Sequence, residues 1–166
     1  MSSIKIKTLS FLLFILFIED LQGIDSKSPK IFPDLANFKL DGYKSEELKN
    51  KILVFDFWAS WCAPCKKAFP ALCEIQNEYL NKDVVVVGVN VDKNKALMEK
   101  FLKKNRCNFK IIYDVDKKLI SKLNVKTMPT TFIVDKNFKI IAEKQGYFKK
   151  TKSEIKSILD KLIDDE

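Results

Sequence analysis

Histidine is absent from this chain of 166 residues, and its absence removes much of the usual chemistry of enzyme active sites. Without an imidazole there is no Ser-His or Cys-His catalysis, no histidine general acid and no histidine metal ligand. Catalysis by this chain would therefore have to use cysteine, carboxylate or lysine side chains.

Arginine is scarce as well, since Arg106 is the one arginine among 30 cationic residues. The net charge is +8, and the lysines are scattered along the chain rather than gathered in one stretch. Nucleic-acid binding usually needs a concentrated basic patch with arginine or aromatic residues beside it. We therefore expect a solvated basic surface that attracts anionic membranes or acidic partners, and no nucleic-acid partner.

One long hydrophobic run is present, near the amino terminus. Residues 9–18 are apolar except for Ser10, two lysines precede them and Glu19 and Asp20 follow. A membrane-spanning helix needs roughly 18 apolar residues, so this run is short. The pattern predicts a secretory signal peptide over residues 1–23, with a retained amino-terminal membrane anchor or a buried helix as alternatives. Residues 24–166 are enough for one domain and too few for two.

The remaining sequence alternates between strand and helix patterns. Apolar runs predict buried strands over residues 51–58 and 83–92, and residues 62–80 between them have helical spacing. Further patterns predict strands over 109–113, 130–134 and 138–143, and helices over 94–104, 116–123 and 151–163. The prediction is an α/β chain with a mixed central β-sheet flanked by helices, whose regular architecture begins around Lys51.

Two cysteines, Cys62 and Cys65, follow the first buried strand at the start of a helix. Unpaired amides at a helix start stabilise a thiolate, which is the attacking species in disulfide exchange. We therefore expect Cys62 to be the nucleophile and Cys65 the resolving thiol. The alternatives are a purely structural disulfide or a zinc pair, but Cys73 and Cys107 are too far apart to complete a zinc site. We expect neither a metal nor an organic cofactor.

Asp56 and Pro129 are two further candidates. Asp56 interrupts an apolar strand six residues before Cys62, and a buried carboxylate there would have a raised pKa and could accept the proton of Cys65. The alternative is a polar group satisfied by a local hydrogen bond. Pro129 stands just before a predicted strand, where a cis bond after Met128 would make a tight turn.

These features resemble the thioredoxin superfamily. The segment from Phe55 to Lys66, with the sequence FDFWASWCAPCK, is similar to the superfamily's active-site segment. Pro70 matches its helix kink, Pro129 its cis-proline and Gly146 its late glycine. The resemblance implies a thioredoxin fold, here with an amino-terminal extension and an inserted helix. It also implies a substrate groove beside the cysteines, lined by Trp61, Ala63, Pro64, Met128 and Pro129.

Within the superfamily, the chain resembles the exported TlpA/ResA-like branch. Three features carry this resemblance: the signal-like segment, residues 32–35, and residues 89–92 with the helix after them. It implies a protein-disulfide oxidoreductase of the bacterial periplasm, soluble or anchored to the inner membrane. It would be a monomer that takes electrons from a membrane thiol donor and reduces protein disulfides, with apocytochrome c before haem attachment among the candidate substrates. Ala68 replaces a glutamate that some members of the branch carry.

Several alternatives stay open at this stage. We expect Cys73 and Cys107 to be a buried thiol and a loop thiol, with a disulfide between them as the alternative in an oxidising compartment. The chain could also oxidise exported proteins rather than reduce them, reduce peroxide, or serve as a binding or chaperone module.

Overall fold

The computed structural model describes residues 29–165. The predicted signal peptide or anchor over residues 1–23 lies outside the described residues. Within residues 29–165, no helix has both the length and the apolar character that a membrane crossing requires.

A six-stranded sheet forms the centre of the molecule, with the strand order β1-β4-β3-β2-β5-β6. The strands are β1 (Leu40–Asp41), β2 (Ile52–Trp58), β3 (Val84–Asn90), β4 (Lys110–Asp114), β5 (Thr130–Val134) and β6 (Ile140–Gln145). Strands β2, β3 and β4 are parallel, and β1, β5 and β6 join antiparallel to their neighbours. The predicted mixed sheet is therefore confirmed.

Within residues 29–165, four α-helices and two short 3-10 turns accompany the sheet. The helices are α1 (Ala63–Glu78), α2 (Lys95–Lys104), α3 (Lys118–Lys122) and α4 (Thr151–Asp164), and the turns are Leu35–Asn37 and Ser45–Glu47. Each predicted helix is present, and its observed ends lie within two residues of the predicted ones. Helix α2 is the insertion that the resemblance implied, between β3 and β4.

Two hydrophobic cores cover the two faces of the sheet. One, which we call the cysteine core, contains Cys62 and Cys65 together with side chains of α1, α2 and α4. The other contains side chains of α3 and of the amino-terminal segment. Strand β2 is buried along its whole length, because both of its faces are covered.

Two strand predictions were wrong. Strand β1 pairs antiparallel with β4, so the regular architecture begins before Lys51. Its two residues are too few to show the alternation on which strand prediction rests. Strand β6 begins at Ile140 and not at Phe138, because Phe138 has a φ of +61°, which a strand does not accommodate.

Candidate active site

Cys62 is the capping residue at the amino terminus of α1. Its backbone is extended, and its Sγ accepts a hydrogen bond from the backbone N–H of Cys65 at 3.2 Å. The two cysteines are joined by a disulfide, with their Cα atoms 5.3 Å apart. The amides and the dipole of a helix start favour negative charge. The helix therefore favours the thiolate form of Cys62 once the disulfide is opened.

The first turn of α1 exposes its spacer residues and buries its cysteines. Ala63 and Pro64 are exposed, whereas Cys62 and Cys65 are 5% and 3% exposed. A proline is tolerated in the first turn because its missing N–H would have no partner within the helix. Trp61, immediately before the pair, is 65% exposed. The exposed side chain of Trp61 thus adjoins a cysteine residue that is almost fully buried.

Asp56 lies in the middle of β2 and is 2% exposed. It stands directly opposite Thr131 of β5, whose Oγ1 donates a hydrogen bond to Asp56 Oδ1 at 2.8 Å. Burial raises the pKa of Asp56 to about 7, although the hydrogen bond from Thr131 acts in the opposite direction. The predicted raised pKa is confirmed, and the local hydrogen bond is present as well.

The side chain of Asp56 belongs to the same face of the sheet as the cysteines. Val54 and Trp58, two residues to either side along β2, are members of the cysteine core. Side chains of a strand alternate between its faces, so the carboxyl group of Asp56 points to that side too. A group that titrates near neutral pH is therefore placed on the cysteine side of β2.

The peptide bond between Met128 and Pro129 is cis, as predicted. The carbonyl of Pro129 accepts a hydrogen bond from the N–H of Gly146 at 2.7 Å. Gly146 has a φ of +75°, a conformation that glycine adopts without steric cost. Met128 is half-buried and packs against the cysteine core, whereas Pro129 is buried.

A buried polar cluster holds the loop before Cys62, and sequence reasoning assigned it no role. The fully buried carboxylate of Asp92 accepts hydrogen bonds from the backbone N–H and the hydroxyl of Ser60 and from the side-chain amide of Asn90. The Tyr113 hydroxyl donates to the backbone carbonyl of Asp92 at 3.2 Å. The sequence signal for this cluster is the pair Asn90 and Asp92, two polar residues at the carboxyl end of the apolar run of β3. Neighbouring parallel strands end together at that edge of the sheet.

The second cysteine pair also forms a disulfide. Cys73 of α1 is bonded to Cys107 in the segment after α2, and their Cα atoms are 5.7 Å apart. The expectation of two free thiols was therefore wrong. The disulfide depends on the tertiary structure, because the inserted helix α2 returns the chain to the side of α1. Within residues 29–165, no group of three or more cysteine, aspartate and glutamate residues could hold a metal ion.

Comparison with known proteins agrees with this arrangement. The model of the AhpC/TSA family matches residues 30–143. The chain is 33% identical over 113 residues to the thiol-disulfide oxidoreductase ResA of Bacillus subtilis (strain 168), a match that spans 65% of this chain and 63% of that protein. It is 30% identical over 148 residues to ResA of Bacillus cereus (strain ATCC 10987 / NRS 248), spanning 85% and 84% of the two chains.

A solved structure described as the thiol:disulfide interchange protein DsbE of Chlorobium tepidum has the same fold. Its TM-score is 0.75 and its sequence identity is 29%, and the match covers 81% of this chain and 96% of that one. The predicted thioredoxin fold is confirmed by this likeness.

Proposed function

We propose that this chain, which belongs to the AhpC/TSA family and to the ResA-like thiol-disulfide oxidoreductases of the thioredoxin superfamily, reduces disulfide bonds of exported proteins through Cys62 and Cys65. The observation that carries the proposal is the disulfide between these two residues at the start of α1, where the sulfur of Cys62 is also the helix cap. A sulfur in that position is a stabilised thiolate and a good nucleophile when reduced.

In the first step, the thiolate of Cys62 attacks one sulfur of the substrate disulfide. A new S–S bond forms between Cys62 and that sulfur, the substrate S–S bond breaks, and the other substrate sulfur leaves as a thiolate. The helix amides stabilise negative charge at Cys62 only while its sulfur is not bonded to another sulfur. They therefore keep Cys62 ionised and ready to attack in the reduced enzyme.

In the second step, Cys65 resolves the mixed disulfide. Its thiol gives up a proton, the resulting thiolate attacks the sulfur of Cys62, and the second substrate sulfur leaves. Asp56 is the proposed proton acceptor, because its raised pKa of about 7 lets the carboxyl take up and release a proton near neutral pH. Two electrons have then passed to the substrate, and the chain carries the Cys62–Cys65 disulfide.

The substrate is proposed to lie across the surface around Cys62. Trp61, Ala63 and Pro64 offer exposed contacts next to the cysteine. The half-buried Met128 and the buried Pro129 are the proposed opposite side of the groove. The support for this assignment is that Met128 packs on the same core that holds the two cysteines.

Export and the reducing direction are the finer parts of the proposal. The predicted signal peptide or anchor over residues 1–23 and the disulfide between Cys73 and Cys107 both support an oxidising compartment such as the periplasm. A reductase there needs electrons from a membrane thiol donor. Apocytochrome c, as in cytochrome c maturation, is the proposed substrate to test first, with the chain acting as a monomer.

The reduction potential of the Cys62/Cys65 couple tests the direction. It is measured by equilibrating the protein with thiol buffers of known potential. A value near −270 mV or lower, typical of thioredoxin, is expected for a reductant, whereas a value near −120 mV would assign the chain to the oxidants.

Trapping tests the roles of the two cysteines. A Cys65→Ser variant lacks the resolving thiol, so we expect it to accumulate mixed disulfides with substrate proteins through Cys62. Cys62→Ser is the matched control, since it retains one thiol in the same turn of α1. Equal trapping by the two variants would contradict the assignment of Cys62 as nucleophile.

A further inference from the structure

A groove opens beside the cysteine pair, between the start of α1 and the inserted helix α2. Its volume is about 340 Å³, at the lower end of the range of ligand pockets. Its lining includes Ser60, Lys66, Leu97, Lys100, Phe101 and Lys104, and we call it the lysine groove. Ser60 lies two residues before Cys62 and Lys66 directly follows Cys65, so the groove adjoins the disulfide.

The three lysines of the groove are without an acidic partner in the part of the chain that the structure describes. Within residues 29–165, none of Lys66, Lys100 and Lys104 makes an ion pair, and all three are exposed. Lys95, on the same helix as Lys100, pairs with both Asp41 and Glu99. The groove therefore concentrates uncompensated positive charge next to the cysteine pair.

The same groove also offers apolar surface on a rigid support. Leu97 is 45% exposed, and Phe101 is half-buried with its ring packed against those of Trp58 and Phe69 at centroid distances of 5.0 and 5.1 Å. The end of α2 is held to α1 because the Cys73–Cys107 disulfide follows it closely. A ligand would thus meet a wall that is already formed, which lowers the entropy lost on binding.

We propose that the lysine groove docks an acidic segment next to the disulfide of the substrate protein. The carboxylates of that segment face Lys66, Lys100 and Lys104, and an apolar side chain rests on Leu97 and Phe101. This inference rests on the proposed reductase function and adds the chemistry by which a substrate is selected. Exposed charges of this kind act mainly on the association rate, and salt screens them.

The test compares two disulfide peptides that differ only in their flanks, one with four aspartates and glutamates and one with serines and glutamines. The variant is Lys100→Glu/Lys104→Glu in the full chain. The matched control is Lys103→Glu/Lys149→Glu, which changes the net charge equally at exposed positions outside the groove. Reduction rates are measured at about 20 mM and about 500 mM salt, which differ in Debye length by several-fold. Binding to the oxidised proteins is measured with cysteine-free versions of both peptides.

At low salt we expect kcat/KM for the acidic peptide to fall about 10-fold in the groove variant and less than about 2-fold in the control, with the difference shrinking at high salt. The neutral peptide should be reduced equally by all three proteins. The cysteine-free acidic peptide should bind more weakly to the groove variant than to the control.

Equal losses in the groove variant and the control would overturn the docking proposal and leave the reductase proposal standing. The docking proposal would also be overturned if the groove variant bound vesicles of anionic phospholipid more weakly but bound the acidic peptide as strongly as before. If no peptide is reduced, the reductase proposal fails, while the binding measurement still decides whether the groove holds an acidic segment.

Discussion

Replacing Asp56 with asparagine should stabilise the folded protein and slow its chemistry at the same time. The substitution keeps the shape of the side chain and an oxygen that can accept the hydrogen bond from Thr131. It removes a carboxyl group on the cysteine side of β2 whose pKa burial raises to about 7. Stability and activity are therefore expected to move in opposite directions.

The magnitude follows from the pKa of the buried carboxyl group. Folding raises that pKa from its ordinary value of 3.8 to about 7 because burial disfavours the charged form. As the pH rises, the unfolded chain loses this proton first, so the penalty on the folded state begins near pH 4 and is complete above pH 7. At 1.36 kcal/mol per pH unit the full penalty is about 4 kcal/mol, and relaxation around the charge should reduce it to roughly 2–4 kcal/mol.

The assay is urea unfolding of the oxidised wild type and Asp56→Asn between about pH 4 and pH 8.5. The difference between the two unfolding free energies cancels the titration of every other group. We expect this difference to shift in favour of the variant as the pH rises, and to level off above pH 7. A difference that stays constant across this range would refute the assignment of a raised pKa to Asp56.

The same variant gives an independent kinetic measurement. If Asp56 is the proton acceptor for Cys65, resolution of the mixed disulfide at neutral pH should slow by about 100-fold in the variant, the usual contribution of a positioned base. The initial attack by Cys62 should change much less. If both steps slow equally, Asp56 acts on the site as a whole and not as the base for Cys65.

The remaining predictions concern packing and the second disulfide. In Gly88→Ala the new Cβ would lie 2.9 Å from ring atoms of both Phe109 and Trp58. We therefore expect the free energy of unfolding in urea to fall by about 1–3 kcal/mol, and an unchanged midpoint would contradict this packing. In Cys73→Ala/Cys107→Ala the loss of a crosslink over a sequence separation of 34 residues should cost about 3–4 kcal/mol. The reduction rate of the neutral peptide should stay unchanged in that double variant, and a large fall would show that the second disulfide takes part in the chemistry.

The features that could be predicted from the sequence are those encoded within a few neighbouring residues. The apolar run of β2 and the helical spacing of α1 are local patterns, and they place Cys62 and Cys65 at a helix start. Asp56 was a candidate because a single charge inside an apolar run must be buried with it. The cis bond before Pro129 followed from the resemblance to a family in which that proline has a fixed place.

The features that could not be predicted depend on contacts between distant parts of the chain. Strand β1 exists because it pairs with β4, and its two residues carry no pattern of their own. The bond between Cys73 and Cys107 depends on how far α2 returns toward α1, which spacing does not determine. The buried position of Asp92 likewise follows from the approach of Ser60, 32 residues earlier in the chain.

The connectivity of the two disulfides has a consequence for how the chain matures. Four cysteines allow three pairings, and this one joins the first to the second and the third to the fourth along the sequence. If the chain is translocated with its amino terminus leading, Cys62 meets Cys65 before Cys73 and Cys107 have both emerged. Oxidation in order of emergence then yields the native bonds directly, so biogenesis would not depend on a disulfide isomerase.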